Sequence, residues 1–355
     1  MGRTLWALLL IAWLRGPALA EPESVPRTHP DPIAIPGTAS TPGSQPSPWL
    51  DLAPATLLDH PPRHTTHHPI AAVATLAGVY LGFTTWTYFA WYRNVMKNDE
   101  DPSKPPFVWG GDGLFGVTEY AGGSDKLGHA WATMTLGRAG TETLVRFGGY
   151  DRVASAAIGA GLSELLFFGV EVKDGYYYQF SYGDFAFNTL GALLSFGLSV
   201  SPRFDELFDF RVEYWPSHEY RNQFKGGNVN VAEDYSGQIY MAALHLGGFH
   251  GLRDARYGGW SRFVDVAIGF GTRGYKPDEP PGTLPEDRYE ERQHMYAGLS
   301  LNAQGLFDWL LADTRSPVLR TTRKIAHGVF EVFNAPSTFV PLYHDSRAAP
   351  PRSVE

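Results

Sequence analysis

From Ile70 to Trp91 the chain runs for 22 residues without a charge, IAAVATLAGVYLGFTTWTYFAW. About 20 apolar residues are enough for a helix to cross a bilayer, so this run is either a lipid-embedded helix or the buried core helix of an all-helical unit. Thr75, Thr84, Thr85 and Thr87 do not exclude lipid, because their hydroxyls can return to backbone carbonyls one turn back. Trp86, Tyr88, Trp91 and Tyr92, followed by Arg93, are the residue types that gather at a membrane–water interface.

The segments before this run supply an address. Arg3, the short apolar stretch Leu5–Leu14 and Ala18-Leu19-Ala20 ahead of Glu21 have the layout of a secretory signal over residues 1–20. Residues 21–67 carry eleven prolines, which fix φ and remove donors, so a disordered or extended linker is expected. His60, His64, His67 and His68 at its end suit a solvated linker better than a metal tract, since no rigid element orders the rings. The chain has no cysteine, which excludes disulfide frameworks, thiolate metal sites and lipid attachment through an N-terminal Cys. Its net charge is −8, and loss of Arg3 and Arg15 with the signal leaves 27 basic against 37 acidic residues, or −10. With no basic excess there is nothing to neutralise phosphates, so neither nucleic acid nor nucleotide is an expected partner. An exported, cell-envelope location follows, with the outer membrane or periplasmic side preferred to the inner membrane.

Beyond the Pro-, Gly- and Asp-rich loop 98–123, three helical stretches are predicted: Ser124–Phe147 with Ser124 as N-cap, Arg152–Val172, and Tyr182–Leu198. Small residues on the second and third, including Gly159, Ala160, Gly191 and Ala192, permit close helix contact. From residue 209 the period changes to two: segments at 210–214, 238–246, 263–270 and 295–301 read as strands, and 317–333 as an amphipathic helix that covers them. Arg320, Arg323 and Lys324 on that helix can meet anionic headgroups or simply face water. The fold class expected is α+β: a helical bundle of about four helices over residues 68–204, partly membrane-embedded. An antiparallel β region with its C-terminal helix follows over 205–340, and a disordered tail over 341–355.

Three short clusters carry the candidate chemistry. Asp125 and His129 are one helical turn apart and share a face, so the carboxylate can orient the imidazole as base or ligand. Glu171 and Asp174 fall at a predicted helix C-terminus, where negative charge opposes the helix dipole. Asp184 opens the next helix as cap or site residue, with Asn188 one turn on. Lys126, Glu164, Asn188 and Gly191 are expected to support these groups, with Glu164 able to pair with Lys126 or Arg138. If Asp125, His129, Glu171, Asp174 and Asp184 converge, their repulsion requires a protonated His129, a nearby Lys126 or a bound cation. Asp125, His129, Glu171 and Asp174 are the candidate metal ligands, and a divalent metal is the only cofactor suggested. The sequence contains no Walker A loop, no G-x-S-x-G elbow and no H-E-x-x-H. Its two G-x-G-x-x-G strings, at residues 111–116 and 269–274, lack a strand-to-helix setting.

The three clusters in order, DKLGHAWATM, AAIGAGLSELLFFGVEVKDG and FSYGDFAFNTLG, resemble an uncharacterised bacterial envelope family described as predicted periplasmic lipoproteins. Its pattern is D-K-x-x-H, then E-x-x-D, then G-D-x-x-x-N-x-x-G, and the resemblance spans roughly residues 70–200. It is similar, more distantly, to small helical membrane proteins of the glycopeptide-resistance accessory class. The resemblance implies a location and a shared site, and no activity; without cysteine the lipoprotein label cannot apply. Two functions follow as expectations. One is a structural role, or binding of membrane lipid or an envelope protein. The other is metal-assisted hydrolysis of lipid or cell-wall material by His129 and the carboxylates. The first is preferred to an enzyme because neither a nucleophile nor oxyanion donors can be identified.

Overall fold

A computed structural model describes residues 67–111, 113–225, 230–277 and 289–350, all within the unit Pro54–Glu355. The expected signal and nearly all of the Pro-rich linker lie outside the described residues. Helix α1 spans Pro69–Thr87 and continues as a π-helical turn through Tyr92. Pro69 at its first turn provides a fixed φ where no donor is needed. Helices α2 (Ser124–Glu142), α3 (Arg152–Tyr177) and α4 (Tyr182–Val200) form the motif-bearing bundle. Each start has a local cause. Gly122 and Gly123 have φ of 59° and 89°, a backbone that only glycine adopts cheaply, and they turn the chain into α2. Asp151 accepts from Ala154 N at 2.9 Å to cap α3, and Ser181 accepts from Asp184 N at 3.1 Å to cap α4.

Three expectations are corrected here. Gly123, not Ser124, caps α2; Ser124 is the first helical residue and receives a hydrogen bond from the Thr272 hydroxyl at 3.0 Å. Helix α2 gives way to a π-helical turn, Thr143–Gly148, closed by Gly149 at φ 76°. Helix α3 runs on to Tyr177, so Glu171 and Asp174 lie within its last turns instead of ending it. The extension holds because Asn98, fully buried in the preceding loop, donates its amide to the carbonyls of Gly175 (3.1 Å) and Tyr178 (3.2 Å).

A short helix α5 (Pro202–Leu207) delivers the chain to β1 (Phe208–Tyr214). Helix α6 (His218–Lys225), β2 (Gln238–His245), β3 (Val264–Arg273), β4 (Arg292–Leu301), α7 (Ala303–Leu310), α8 (Pro317–Val332) and β5 (Phe339–Ala348) complete the order. Among the described residues these five strands form one sheet, ordered β1-β2-β3-β4-β5 and antiparallel throughout, and the two-residue segments Trp109–Gly110 and Phe180–Ser181 pair in parallel as a separate sheet. The fold is therefore α+β, as the periods indicate. The fifth strand replaces the expected tail: residues 339–348 pair with β4 from Ala348 opposite Arg292 to Phe339 opposite Ser300. Pro341 and its exposed side chains hid it, but a proline is tolerated on an edge strand, where one side has no partner.

The bundle and the sheet share one core. Ala130 and Met134 of α2 and Leu198 of α4 pack with Phe210, Val212, Tyr240 and Val332. Helix α8 closes the β1 edge, with Trp131 Nε1 donating to Val332 O at 2.8 Å and Phe333 bridging Val212. Arg323 of α8 is held by Asp308 at 2.7 Å, and His327 by the same carboxylate at 2.9 Å, so Arg323 faces α7 instead of a headgroup.

Candidate functional site

Helices α2, α3 and α4 cross at very short range, which places their polar residues against one another. A Cβ at Gly191 of α4 would fall on the Ala130 carbonyl of α2, and one at Gly159 of α3 on the Gly137 carbonyl. Into this narrow interior point Lys126, His129 and Thr133 from α2, Glu171 from α3, and Asp184 and Asn188 from α4. Lys126, Glu171 and Asn188 are at most 1% exposed.

Lys126 Nζ lies 2.7 Å from Asp125 Oδ2 and 2.8 Å from Asp184 Oδ1, so one ammonium joins the first turns of α2 and α4. Asn188 is the hub of the other half. Its Oδ1 accepts from Thr133 Oγ1 at 3.1 Å and sits 3.0 Å from His129 Nδ1, while its Nδ2 donates to Glu171 Oε1 at 3.2 Å. His129 Nδ1 is 3.4 Å from Glu171 Oε1, and Nε2 is 3.9 Å from Asp184 Oδ2.

The structure thus brings Lys126, His129, Glu171, Asp184 and Asn188 into one network, with Asp125 attached through Lys126. Asp125 meets the ammonium, and it is Asn188 that is bonded to the imidazole; a shared helix face set the direction of both α2 side chains but not their partners. Asp174 stands at the edge, accepting from Tyr92 Oη at 2.5 Å, while Lys173 lies over the Tyr92 ring at 4.1 Å. Glu164 is outside the network. It accepts from Thr189 Oγ1 at 2.9 Å, because Lys126 is held by Asp125 and Asp184, and Arg138 is taken by Asp205 (2.6 Å) and Glu331. Among the described residues His129, Glu171 and Asp184 are the group whose ligand atoms come within 4.8 Å of one another.

A second charged cluster escaped sequence reasoning. Arg211 is 2.5 Å from Asp209 and 2.7 Å from Asp265, and His245 lies 3.1 Å and 2.8 Å from the same two carboxylates. Asn302 completes it, donating to Asp265 Oδ1 at 3.0 Å while its own Oδ1 caps α7 through Gly305 N at 2.7 Å. Alternation along β1 marks Asp209 and Arg211 as a solvent face. Both are buried, because α7 and the segment after α8 pack over that side of the sheet.

The arrangement defines a class: an α+β chain whose helices enclose a buried network of carboxylates, one lysine, one histidine and one asparagine, with none of the familiar hydrolase or nucleotide-binding constellations among the described residues. The segment 111–199, which holds the whole network, matches the model of a family of unknown function described as predicted periplasmic lipoprotein. Over these residues the chain is similar to that family. No curated protein and no solved structure matches the chain.

Proposed function

We propose that this is a cell-envelope protein whose helical unit is embedded in lipid and whose role is structural or binding. The observation that carries this reading is the inverted polarity of α3 and α4. Their buried faces are mostly small or polar, with Ser155, Gly159, Ala160, Ser163 and Glu171 on α3 and Asp184, Asn188, Gly191, Ser195 and Ser199 on α4; Phe167, Val170 and Leu198 are the large apolar residues among them. Their outward faces are apolar: Ile158, Leu165 and Phe168 are 50%, 63% and 40% exposed, and Leu190 and Leu193 are 44% and 64% exposed. Water favours the opposite arrangement; a lipid solvent favours this one, since only polar groups then need the interior.

Length and flanks agree. Pro69–Tyr92 and Arg152–Tyr177 are 24 and 26 residues long and both apolar enough to cross a membrane, which at 1.5 Å per residue exceeds a hydrocarbon core of about 30 Å. Trp91, Tyr92, Tyr177 and Tyr178 gather where α1 and α3 end together, with Tyr92 and Tyr177 ring centroids 5.1 Å apart. The buried network then serves as the polar lock that fixes α2, α3 and α4 in register. In the absence of any cysteine, single-cysteine labelling tests the reading directly. In native membranes Leu165→Cys and Leu193→Cys are expected to resist a charged maleimide and to react with a lipid-soluble one, whereas Ala255→Cys reacts with both. Equal reaction of all three with the charged reagent would end the proposal.

A further inference from the structure

We propose that His129, Glu171 and Asp184 form a binding site for one divalent first-row metal ion, with Asn188 orienting the histidine and Lys126 holding Asp184. The site stands on the interior geometry of the bundle and does not depend on whether the outer helix faces meet lipid.

The first ground is the donor set. One imidazole nitrogen and two carboxylate oxygens arrive from three different helices, all within 4.8 Å. Ligand atoms around an ion with bonds of about 2.1 Å are roughly 3.4 Å apart in tetrahedral geometry, so closing the site needs side-chain shifts well under the length of a bond. A mixed nitrogen and oxygen set of this kind suits Zn²⁺ or Mn²⁺. It has too few oxygens for Ca²⁺, and lacks the nitrogen-rich or thiolate ligands that favour Cu²⁺ or Cu⁺.

The second ground is the shell behind the donors. Asn188 gives its amide N–H to Glu171 and its carbonyl oxygen to Thr133, so that oxygen is presented to His129 Nδ1 as an acceptor. Nδ1 then carries the proton and Nε2, the nitrogen facing Asp184, carries the lone pair. A metal-binding histidine is held in this way by a hydrogen bond from its other nitrogen.

The third ground is the crowding of carboxyl groups. Those of Asp125 and Asp184 both lie against the Lys126 ammonium, Glu171 stands beside the His129 ring, and Asp174 is met separately by the Tyr92 hydroxyl. Asp184 is only 9% exposed, and its Oδ1, although 2.8 Å from Lys126, receives no aligned hydrogen bond. A cation at this point would meet the carboxyl oxygens of Glu171 and Asp184 and the His129 ring together. Three protein ligands leave a further coordination position on the side where the His129 side chain is 21% exposed, open to water or to an oxygen ligand.

The test is metal analysis and Zn²⁺ and Mn²⁺ titration of the full chain in detergent. One equivalent is expected in the wild-type chain and in a variant with His60, His64, His67 and His68 all changed to Gln. His129→Gln and Asp184→Asn are expected to lose it by at least tenfold in affinity while keeping the wild-type helical circular dichroism. Should both variants fail to fold, Co²⁺ titration of the wild-type chain decides: d–d bands of a nitrogen- and oxygen-ligated ion, with anomalous density at the three side chains, support the site. A wild-type chain that takes up no metal, a folded His129→Gln chain that binds unchanged, or Co²⁺ found elsewhere overturns it.

Discussion

His245 lies between Asp265 and Asp209 with Arg211 completing the square, so two positive and two negative groups balance beneath the sheet. Burial opposes the imidazolium, but Asp265 and Asp209 outweigh it and raise the His245 pKa to about 9. The same cluster holds both carboxylates below their ordinary range, with Arg211 and His245 overcoming the burial that would raise them. The signs follow from linkage. A histidine raised from about 6.5 to about 9 contributes its stability in full below pH 6.5 and loses it as pH climbs through 9, a loss on the order of 3 kcal/mol. The lowered carboxylates act in the opposite direction, contributing above their unfolded values and losing that contribution in acid. Urea unfolding is therefore expected to show falling stability between pH 6.5 and 9 in the wild-type chain and a flattened profile in His245→Gln. An unchanged slope in that variant would contradict the assignment.

At the scale of elements, the close helix crossings govern the site. Gly191 meets the Ala130 backbone directly, so a side chain there cannot be accommodated by a rotamer change. Gly191→Val is expected to destabilise the bundle by about 1–3 kcal/mol, toward the upper figure because the obstacle is backbone. Gly161, one α3 position with open space around it, is the control: Gly161→Ala is expected to be neutral or stabilising by up to about 1 kcal/mol. Thermal unfolding of the two variants side by side checks the contrast. Equal effects would mean that the α2–α4 crossing is not tight. The sheet shows a second element-level feature. Leu244, Val266, Leu299 and Val340 lie opposite one another across β2, β3, β4 and β5, each at least 39% exposed, a row of aliphatic side chains on one face.

For the whole molecule, that exposed row and the outward faces of α1, α3 and α4 put large apolar side chains on the surface, the kind of patch that marks a lipid or protein contact. Contacts made through such surface are insensitive to screening. The protein is expected to sediment with membranes, to remain there in 1 M salt, where the Debye length is about 3 Å, and to leave only with detergent. Quantitative immunoblotting of the fractions measures this, and release by salt alone would be inconsistent with embedding.

The sequence by itself determined the main helices and four of the strands in their order, though not α6, α7 or β5. Uncharged runs, a 3.6-residue period through the DKLGH and VEVKDG segments and a two-residue period from 209 onward are local properties, and local backbone preference is enough to express them. The D-K-x-x-H, E-x-x-D and G-D-x-x-x-N strings likewise pointed to the segment that the family match covers. Tertiary structure alone decided who meets whom. Asp125 and His129 share a helix face, yet Lys126, itself fixed by Asp184 of α4, claims the first, and Asn188 of α4, some sixty residues further on, claims the second. Glu164 looked equivalent to Glu171 at seven residues' spacing, but seven residues at 1.5 Å each set it about 10 Å along the helix axis, where it meets Thr189, outside the network. The Arg211 cluster was invisible because alternation reports only that two faces differ, while burial of the charged face depends on α7 and the segment after α8, which lie about 90 and about 120 residues further along the chain. Periodicity is a one-dimensional signal; the enclosure of charge is set by three-dimensional crossing distances, and no local pattern encodes those.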